Sequence, residues 1–158
     1  SRDTPNLQFH VQPISTDILG ATRMHDFDGI TPTIANIRPT SRGEISIISN
    51  DTRDNPKIKM NYLSTQDDRD VAAKSLKIVR KIMLETNAFK KYEPEEYRPG
   101  VHITDDEELV QAGSKHTQTI FHPVGTCKMG QGDDSVVNEQ LKVKGLENLR
   151  VVVLKVVS

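Results

Sequence analysis

The residues best suited to chemistry lie together in one short stretch, from Phe121 to Gly130. It holds His122 and the only cysteine of the chain, Cys127. Pro123 fixes its own φ angle and favours an extended conformation at His122. Gly125 allows a sharp turn or a close approach to a ligand. A loop restrained in this way presents one imidazole in one direction, which is what a general base needs.

Two other kinds of site stay open at this point. A nucleophilic Cys127 needs a histidine base and an orienting side chain, and nothing in the sequence singles out that third group; a lone cysteine is more often a small buried hydrophobe. A metal site could use His116, His122 and Cys127, but their spacing is not that of a tetrahedral zinc module. The remaining histidines fit structural or solvated positions: His10, His25 and His102.

Composition narrows the class of protein. The chain has 158 residues, 35% of them hydrophobic, and a net charge of -1. These values are typical of a globular domain with no electrostatic preference for nucleic acid or membranes. One cysteine excludes an internal disulfide, no apolar run is long enough to span a membrane, and no glycine-rich nucleotide motif is present. We therefore expect a cytoplasmic protein, with membrane association of a larger enzyme left open.

The sequence around the loop predicts an α+β fold. Alternating apolar and polar residues, separated by turn formers, predict four short strands: Leu7–Gln12, 33–38, 45–49 and 58–62. Strands joined in this way favour a largely antiparallel sheet with one face covered by helices. Residues 14–30, which include Gly20, show no clean period and predict a long loop.

Two helices are predicted to flank the sheet. An apolar stripe predicts a helix over about 67–86, with Lys74, Lys77 and Lys81 on its solvated face. Residues 87–103 contain three helix-breaking residues and predict an irregular connection. Thr104 and Glu107 have the spacing of a capping box and predict a helix over about 105–117. That helix would deliver the chain directly to His122.

Three strings near the end of the chain occur in a specific order: His122 to Gly130 (HPVGTCKMG), 135–138 (SVVN) and 141–152 (LKVKGLENLRVV). Together they resemble the C-terminal part of the glucose–methanol–choline (GMC) flavin oxidoreductases, in particular the choline dehydrogenase and alcohol dehydrogenase branch. Upstream, residues 38–43 (RPTSRG) are similar to the hairpin of that family's substrate domain. The resemblance covers most of the chain and is strongest at the end.

The resemblance implies a larger, two-part enzyme. Residues 1–120 would form approximately the substrate-binding domain, and 121–158 the catalytic loop and a C-terminal segment that returns towards an FAD-binding domain. Most of the FAD would be bound by an N-terminal region absent from this chain. His122 would be the catalytic base, taking the hydroxyl proton of a small-molecule alcohol while hydride passes to the flavin. The absent methionine before Ser1 and the apolar end likewise indicate a fragment.

The resemblance also implies contacts between the end of the chain and FAD, at Val153 and Leu154. In the family this run continues into an Asp-Ala-Ser-like segment that touches FAD. Here Val153 fills the acidic position and cannot supply its hydrogen bond, and the run ends at Ser158 before the family's second active-site His or Asn. We therefore expect the isolated chain to be a poor catalyst. The alternative is a non-catalytic domain that binds a small molecule or a partner without flavin.

Overall fold

The computed structural model describes residues 3–17 and 23–157. Predictions that concern Ser1, Gly20 or Ser158 lie outside these residues. The described part contains both helices and antiparallel strands, so the predicted α+β class is confirmed. The strands are β1 (Leu7–Gln12), β2 (Thr31–Asn36), β3 (Glu44–Ser46) and β4 (Lys57–Lys59). The α-helices are α1 (Gln66–Arg80), α2 (Asn87–Lys90) and α3 (Asp106–Ser114).

The chain divides into two compact units. The first consists of the described residues within Ser1–Arg42 and Asn61–Gln118, and the second of those within Gly43–Met60 and Thr119–Ser158. The predicted boundary at residue 120 concerns the domains of a larger protein and stays a prediction. None of the described helices has the length and apolar character needed to cross a membrane.

The first unit is built on a strand pair and two packed helices. Strands β1 and β2 are antiparallel, with Leu7 opposite Asn36 and Gln12 opposite Thr31. Helix α1 contacts both β2 and α3. The buried apolar residues of the described part of this unit lie on those two helices: Ala73, Leu109 and Val110. The close approach of α1 and α3 is possible at Gly113, since an added Cβ there would lie 3.2 Å from the Leu76 side chain.

Helix α1 follows its sequence signals closely. The Thr65 side chain caps its N-terminus by accepting a hydrogen bond from the N–H of Asp68, which satisfies one of the donors left free in the first turn. The predicted solvated lysines are exposed, and Lys77 pairs with Asp106. Beyond Arg80 the chain continues as one π-helical stretch, Lys81–Glu85. The helical run therefore ends within a residue of the predicted end.

Two predictions about the later helices are wrong in detail. The irregular connection predicted for 87–103 begins with the short helix α2, because the carbonyl of Thr86 accepts hydrogen bonds from the N–H groups of Phe89 and Lys90. The N-cap of α3 is Asp105 and not Thr104. The Asp105 carboxylate accepts two bonds of 3.0 Å from the first-turn N–H groups, and a carboxylate at this end also matches the helix dipole.

The second unit contains the hairpin of β3 and β4, with Ile45 opposite Ile58. Both strands are shorter than predicted, and they form a two-stranded sheet separate from that of β1 and β2 in the described part of the chain. The second strand cannot reach residue 62, because Asn61 has a left-handed φ of 54°. Gly43 permits the start of the hairpin, since a Cβ there would lie 2.3 Å from the carbonyl oxygen of Lys59.

Candidate functional site

His122 lies on an irregular loop of the second unit and is exposed. The residue before it, Phe121, is 79% exposed and has a left-handed φ of 62°. This conformation is unusual for a bulky side chain and costs on the order of 1 kcal/mol or more. The N–H of Phe121 is bonded to the Thr119 hydroxyl at 3.0 Å, which helps to hold the turn. The left-handed backbone at Phe121 thus turns the chain directly before the exposed imidazole.

The second half of the loop is fixed to the end of the chain. The N–H of Cys127 donates to the carbonyl of Lys155 at 3.1 Å, and the N–H of Met129 donates to the carbonyl of Val156 at 3.0 Å. Gly125 makes the turn between the His122 segment and this anchored segment, with a left-handed φ of 83° that glycine adopts without strain. His122 thus lies on a short segment before Gly125, and the segment after Gly125 is fixed to the end of the chain by these two hydrogen bonds.

A small core lies beside this anchored segment at Val137, which is 0% exposed. Val137 forms bridges to Met129 and to Val143. The N–H groups of Val136 and Val137 both donate to the carbonyl of Lys128, at 2.8 and 3.3 Å. The strings on which the family resemblance rests therefore pack against one another in the second unit.

Polar contacts close the turn between residues 130 and 135. The buried Ser135 hydroxyl lies 2.8 Å from the carbonyl oxygen of Gly130 and 2.5 Å from that of Gly132. The Lys144 ammonium donates to the same hydroxyl and, at 2.7 Å, to the Gly132 carbonyl. These bonds explain why the small Ser135 is buried without an unsatisfied polar atom.

An ion pair lies on the outside of this turn. Lys128 pairs with Asp134, and the hydrogen bond from its ammonium is the main reason why the pKa of Asp134 lies below its ordinary value. Both side chains are exposed enough for salt to screen the pair. The pair therefore orients the turn without contributing much to stability.

The two alternative sites gain no support from the described residues. Cys127 is a free, half-buried thiol, and no histidine of the described residues forms a hydrogen bond with it. No group of three or more His, Cys, Asp or Glu side chains lies close enough to hold a metal ion in residues 3–17 and 23–157.

The residues predicted to touch FAD lie next to the anchor of the loop. Val153 immediately precedes the 3-10 helix Leu154–Val156 and is 51% exposed, and Leu154 is 54% exposed. Their apolar side chains can pack against a flat ring but donate no hydrogen bond to a ribose or a phosphate. The assignment of these two positions to FAD contact stays a prediction.

A second polar cluster lies in the first unit around His25, for which the sequence predicts only a structural or solvated position. The Ser15 hydroxyl lies 2.8 Å from Nδ1 of His25, and Nε2 of His25 lies 2.9 Å from a carboxylate oxygen of Asp17. Asp17 is shared with Arg98, and His25 stacks on Phe27 with ring centroids 5.0 Å apart. The N–H of His25 also bonds the Ser15 carbonyl, so the cluster ties two loop segments together.

The sequence predicts the His122 loop but not the contacts that support it. The backbone carbonyls of Lys155 and Val156, in the apolar run near the end of the chain, accept the hydrogen bonds that anchor the His122 loop. Backbone pairing of this kind leaves no residue-type signal. The burial of Val137 has a weak signal, because Val136 and Val137 form an apolar pair between polar turns.

The family model described as GMC oxidoreductase matches residues 39–153. This match includes the β3–β4 hairpin, the His122 loop and the small core at Val137. The chain belongs to the GMC oxidoreductase family. Within it, this chain is 36% identical over 148 residues to the oxygen-dependent choline dehydrogenase of Pectobacterium carotovorum subsp. carotovorum, and 37% identical to that of Escherichia coli strain K12.

The GMC chain described here spans only part of these relatives. The matches cover 94% of the chain but 26% of each relative. Among solved structures, a formate oxidase from Aspergillus oryzae RIB40 matches 98% of the chain and 27% of its own length, with a TM-score of 0.85 and 24% identity. Pyridoxine 4-oxidase from Mesorbium loti matches 88% and 26%, with a TM-score of 0.69 and 27% identity.

Proposed function

We propose that this chain is the C-terminal, substrate-domain portion of an FAD-dependent oxidoreductase that acts on the CH–OH group of small alcohols. Membership of the GMC oxidoreductase family supports this class of reaction. The choline dehydrogenase relatives, at 36–38% identity, favour a choline-like alcohol as substrate. Because the chain corresponds to about a quarter of these relatives, the rest of the parent polypeptide has to complete the site.

His122 is the proposed catalytic base. An alkoxide releases hydride far more readily than an alcohol, so a base at the hydroxyl accelerates the oxidation of the attached carbon. Imidazole titrates near neutrality and can accept that proton efficiently. The exposed position of His122 supports this role, together with the backbone hydrogen bonds that fix the following segment of the loop to the end of the chain.

Bound FAD would supply the acceptor for the hydride. The contribution of this chain is to position the hydroxyl at His122, to accept the proton, and to offer the apolar side chains of Val153 and Leu154 to the ring. Binding of the rest of the cofactor is assigned to the parent region outside this chain. The cytoplasmic location expected from the sequence stays a prediction.

The test is made on the purified parent polypeptide that contains these 158 residues. Its visible absorption spectrum should show the bands of an oxidised flavin, and anaerobic addition of choline or a simple primary alcohol should bleach them. The control is the same alcohol with its hydroxyl methylated, which cannot lose a hydroxyl proton and should leave the spectrum unchanged. A flavin-free parent protein, or a flavin that no alcohol reduces, would contradict the proposed function.

A further inference from the structure

The segment that leads into His122 is held by few polar contacts. In the part of the chain that the structure describes, no hydrogen bond between main-chain groups involves residues 119–124. The only hydrogen bond of this segment among those residues runs from the N–H of Phe121 to the hydroxyl oxygen of Thr119, at 3.0 Å. Thr119 is half-buried, whereas Phe121 and His122 are exposed. The path of the chain into His122 therefore depends on the Thr119 hydroxyl more than on any other polar group of the segment.

This hydrogen bond acts on the least favourable backbone conformation of the segment. Phe121 has a left-handed φ of 62°, which bulky side chains rarely adopt. Because the Phe121 side chain is 79% exposed, packing contributes little to holding the residue there. A threonine hydroxyl that accepts from the N–H two residues later closes a local turn. The Thr119 hydroxyl is thus the contact that favours this conformation.

The backbone at Phe121 sets the direction of the side chain that follows it. The Cα–Cβ bond of His122 depends on the path of the main chain, so a change of φ at Phe121 from the left-handed to the extended region would point the imidazole elsewhere. A general base acts only within hydrogen-bond reach of the proton that it accepts. A misplacement of about 1 Å can slow a reaction by about a hundredfold.

We propose that Thr119 is a positioning residue for His122. Its hydroxyl oxygen accepts from the Phe121 N–H and holds the turn that points the imidazole towards the hydroxyl of the alcohol. Thr119 itself contacts neither the alcohol nor the flavin in this role. The inference rests on the proposed function, because it takes His122 to be the base.

The test compares two variants of the purified parent polypeptide. Thr119→Val keeps the shape of the side chain and removes the acceptor, whereas Thr119→Ser keeps the acceptor. The rate of flavin reduction at saturating alcohol is measured anaerobically and expressed per bound flavin, so that a smaller yield of folded protein does not count as a loss. One neutral hydrogen bond shifts an equilibrium by about two- to tenfold. We expect Thr119→Val to lose that factor and Thr119→Ser to restore the rate.

Thr117→Val is the matched control. Thr117 lies two residues earlier and is also exposed, but its hydroxyl donates to the carbonyl of Gly113 at the end of α3, at 3.1 Å. Removing this hydroxyl should leave the rate unchanged. A wild-type rate for Thr119→Val would overturn the proposal. If Thr119→Val does not accumulate, Thr119→Ala removes the same acceptor and carries the same expectations.

A double variant separates positioning from a general structural role. In a parent polypeptide that already carries His122→Ala, the change Thr119→Val should cause no further loss of rate, because the imidazole that Thr119 positions is gone. Two residues that act through one another are not additive in this way. An equal loss with and without His122 would overturn the proposal.

A second measurement needs neither flavin nor alcohol. The NMR signal of the His122 ring Cε1–H, identified by its disappearance in His122→Ala, should shift in Thr119→Val and return in Thr119→Ser, since the surroundings of the ring change. An unchanged signal would overturn the proposal. A shifted signal in a protein whose flavin no alcohol reduces would contradict the proposed function alone. A large loss of rate in His122→Ala beside a wild-type rate in Thr119→Val would contradict the role of Thr119 alone.

Discussion

Asp68, in the first turn of α1, is a buried carboxylate that holds the turn before the hairpin. One of its oxygens accepts from the N–H of Thr40 at 2.9 Å, and the other accepts from the N–H of Ser41 at 2.8 Å. The same carboxylate also accepts a hydrogen bond of 3.2 Å from the side-chain amide of Asn36. Asp68 therefore joins the end of β2, the turn and α1 within the first unit.

Replacing Asp68 by alanine should destabilise the protein by about 2–3 kcal/mol. Hydrogen bonds to a charged group contribute about 1.5–3 kcal/mol each, but Thr40 is exposed and water can partly replace the carboxylate there. The free energy of unfolding is measured by urea titration, followed by circular dichroism. Asp68→Asn keeps the shape and one accepting oxygen, so we expect it to lose about half as much.

The loss should depend on pH. Burial raises the pKa of Asp68, but the hydrogen bonds from Ser41 and Thr40 outweigh burial and leave the pKa below its ordinary value of 3.8. The native state therefore favours the ionised form, and its contribution is complete above about pH 4 and disappears as the pH falls through the lowered pKa. The stability difference between the wild type and Asp68→Asn should shrink over that acidic range.

Asp70→Ala is the matched control, because Asp70 lies on the same helix, is exposed, and accepts only a local bond from Gln66 at 2.8 Å. It should change the free energy of unfolding by less than about 0.5 kcal/mol. If Asp68→Ala cost no more than this control, the carboxylate would not be holding the turn and the reasoning would be refuted.

Three further changes test the supports around the hairpin, the helices and the loop. Arg80→Ala should cost about 3–5 kcal/mol in a urea titration, because it leaves the nearly buried Glu96 carboxylate without its partner. Gly43→Ala should lower the melting temperature, because its Cβ would meet the Lys59 carbonyl; an unchanged melting temperature would contradict this. Ser135→Ala should cost about 1–2 kcal/mol, and a neutral result would show that its bonds are replaceable.

Local signals predicted much of the fold. Strand β1 has the bounds given by its alternation, and α1 begins within a residue of the position that its apolar stripe indicates. The choice of Asp105 over Thr104 as the cap of α3 could not be predicted, because both types cap helices and only the backbone path decides between them. The bonds of Asp68 to Thr40 and Ser41 could not be predicted, because that turn lies 27–28 residues away in sequence.

The sequence predicts which residues form the candidate site, but it does not predict how the backbone holds them together. His122 stands out because Pro123 and Gly125 restrict the loop, whereas the left-handed backbone at Phe121 leaves no trace in the sequence. The anchoring of Cys127 by the carbonyl of Lys155 joins backbone atoms far apart along the chain. Such pairing depends on the path of the main chain and is invisible to a reading of side-chain types.

The most direct measurement of the central claim is the rate of flavin reduction by an alcohol, under anaerobic stopped-flow conditions, in the parent polypeptide carrying His122→Ala. We expect a loss of about 10²–10⁴-fold, the usual contribution of a general base, with the flavin still bound. His116→Ala, which removes another exposed histidine six residues earlier, should leave the rate unchanged. A His122→Ala protein that reduces its flavin at the wild-type rate would contradict the assignment of His122 as the base.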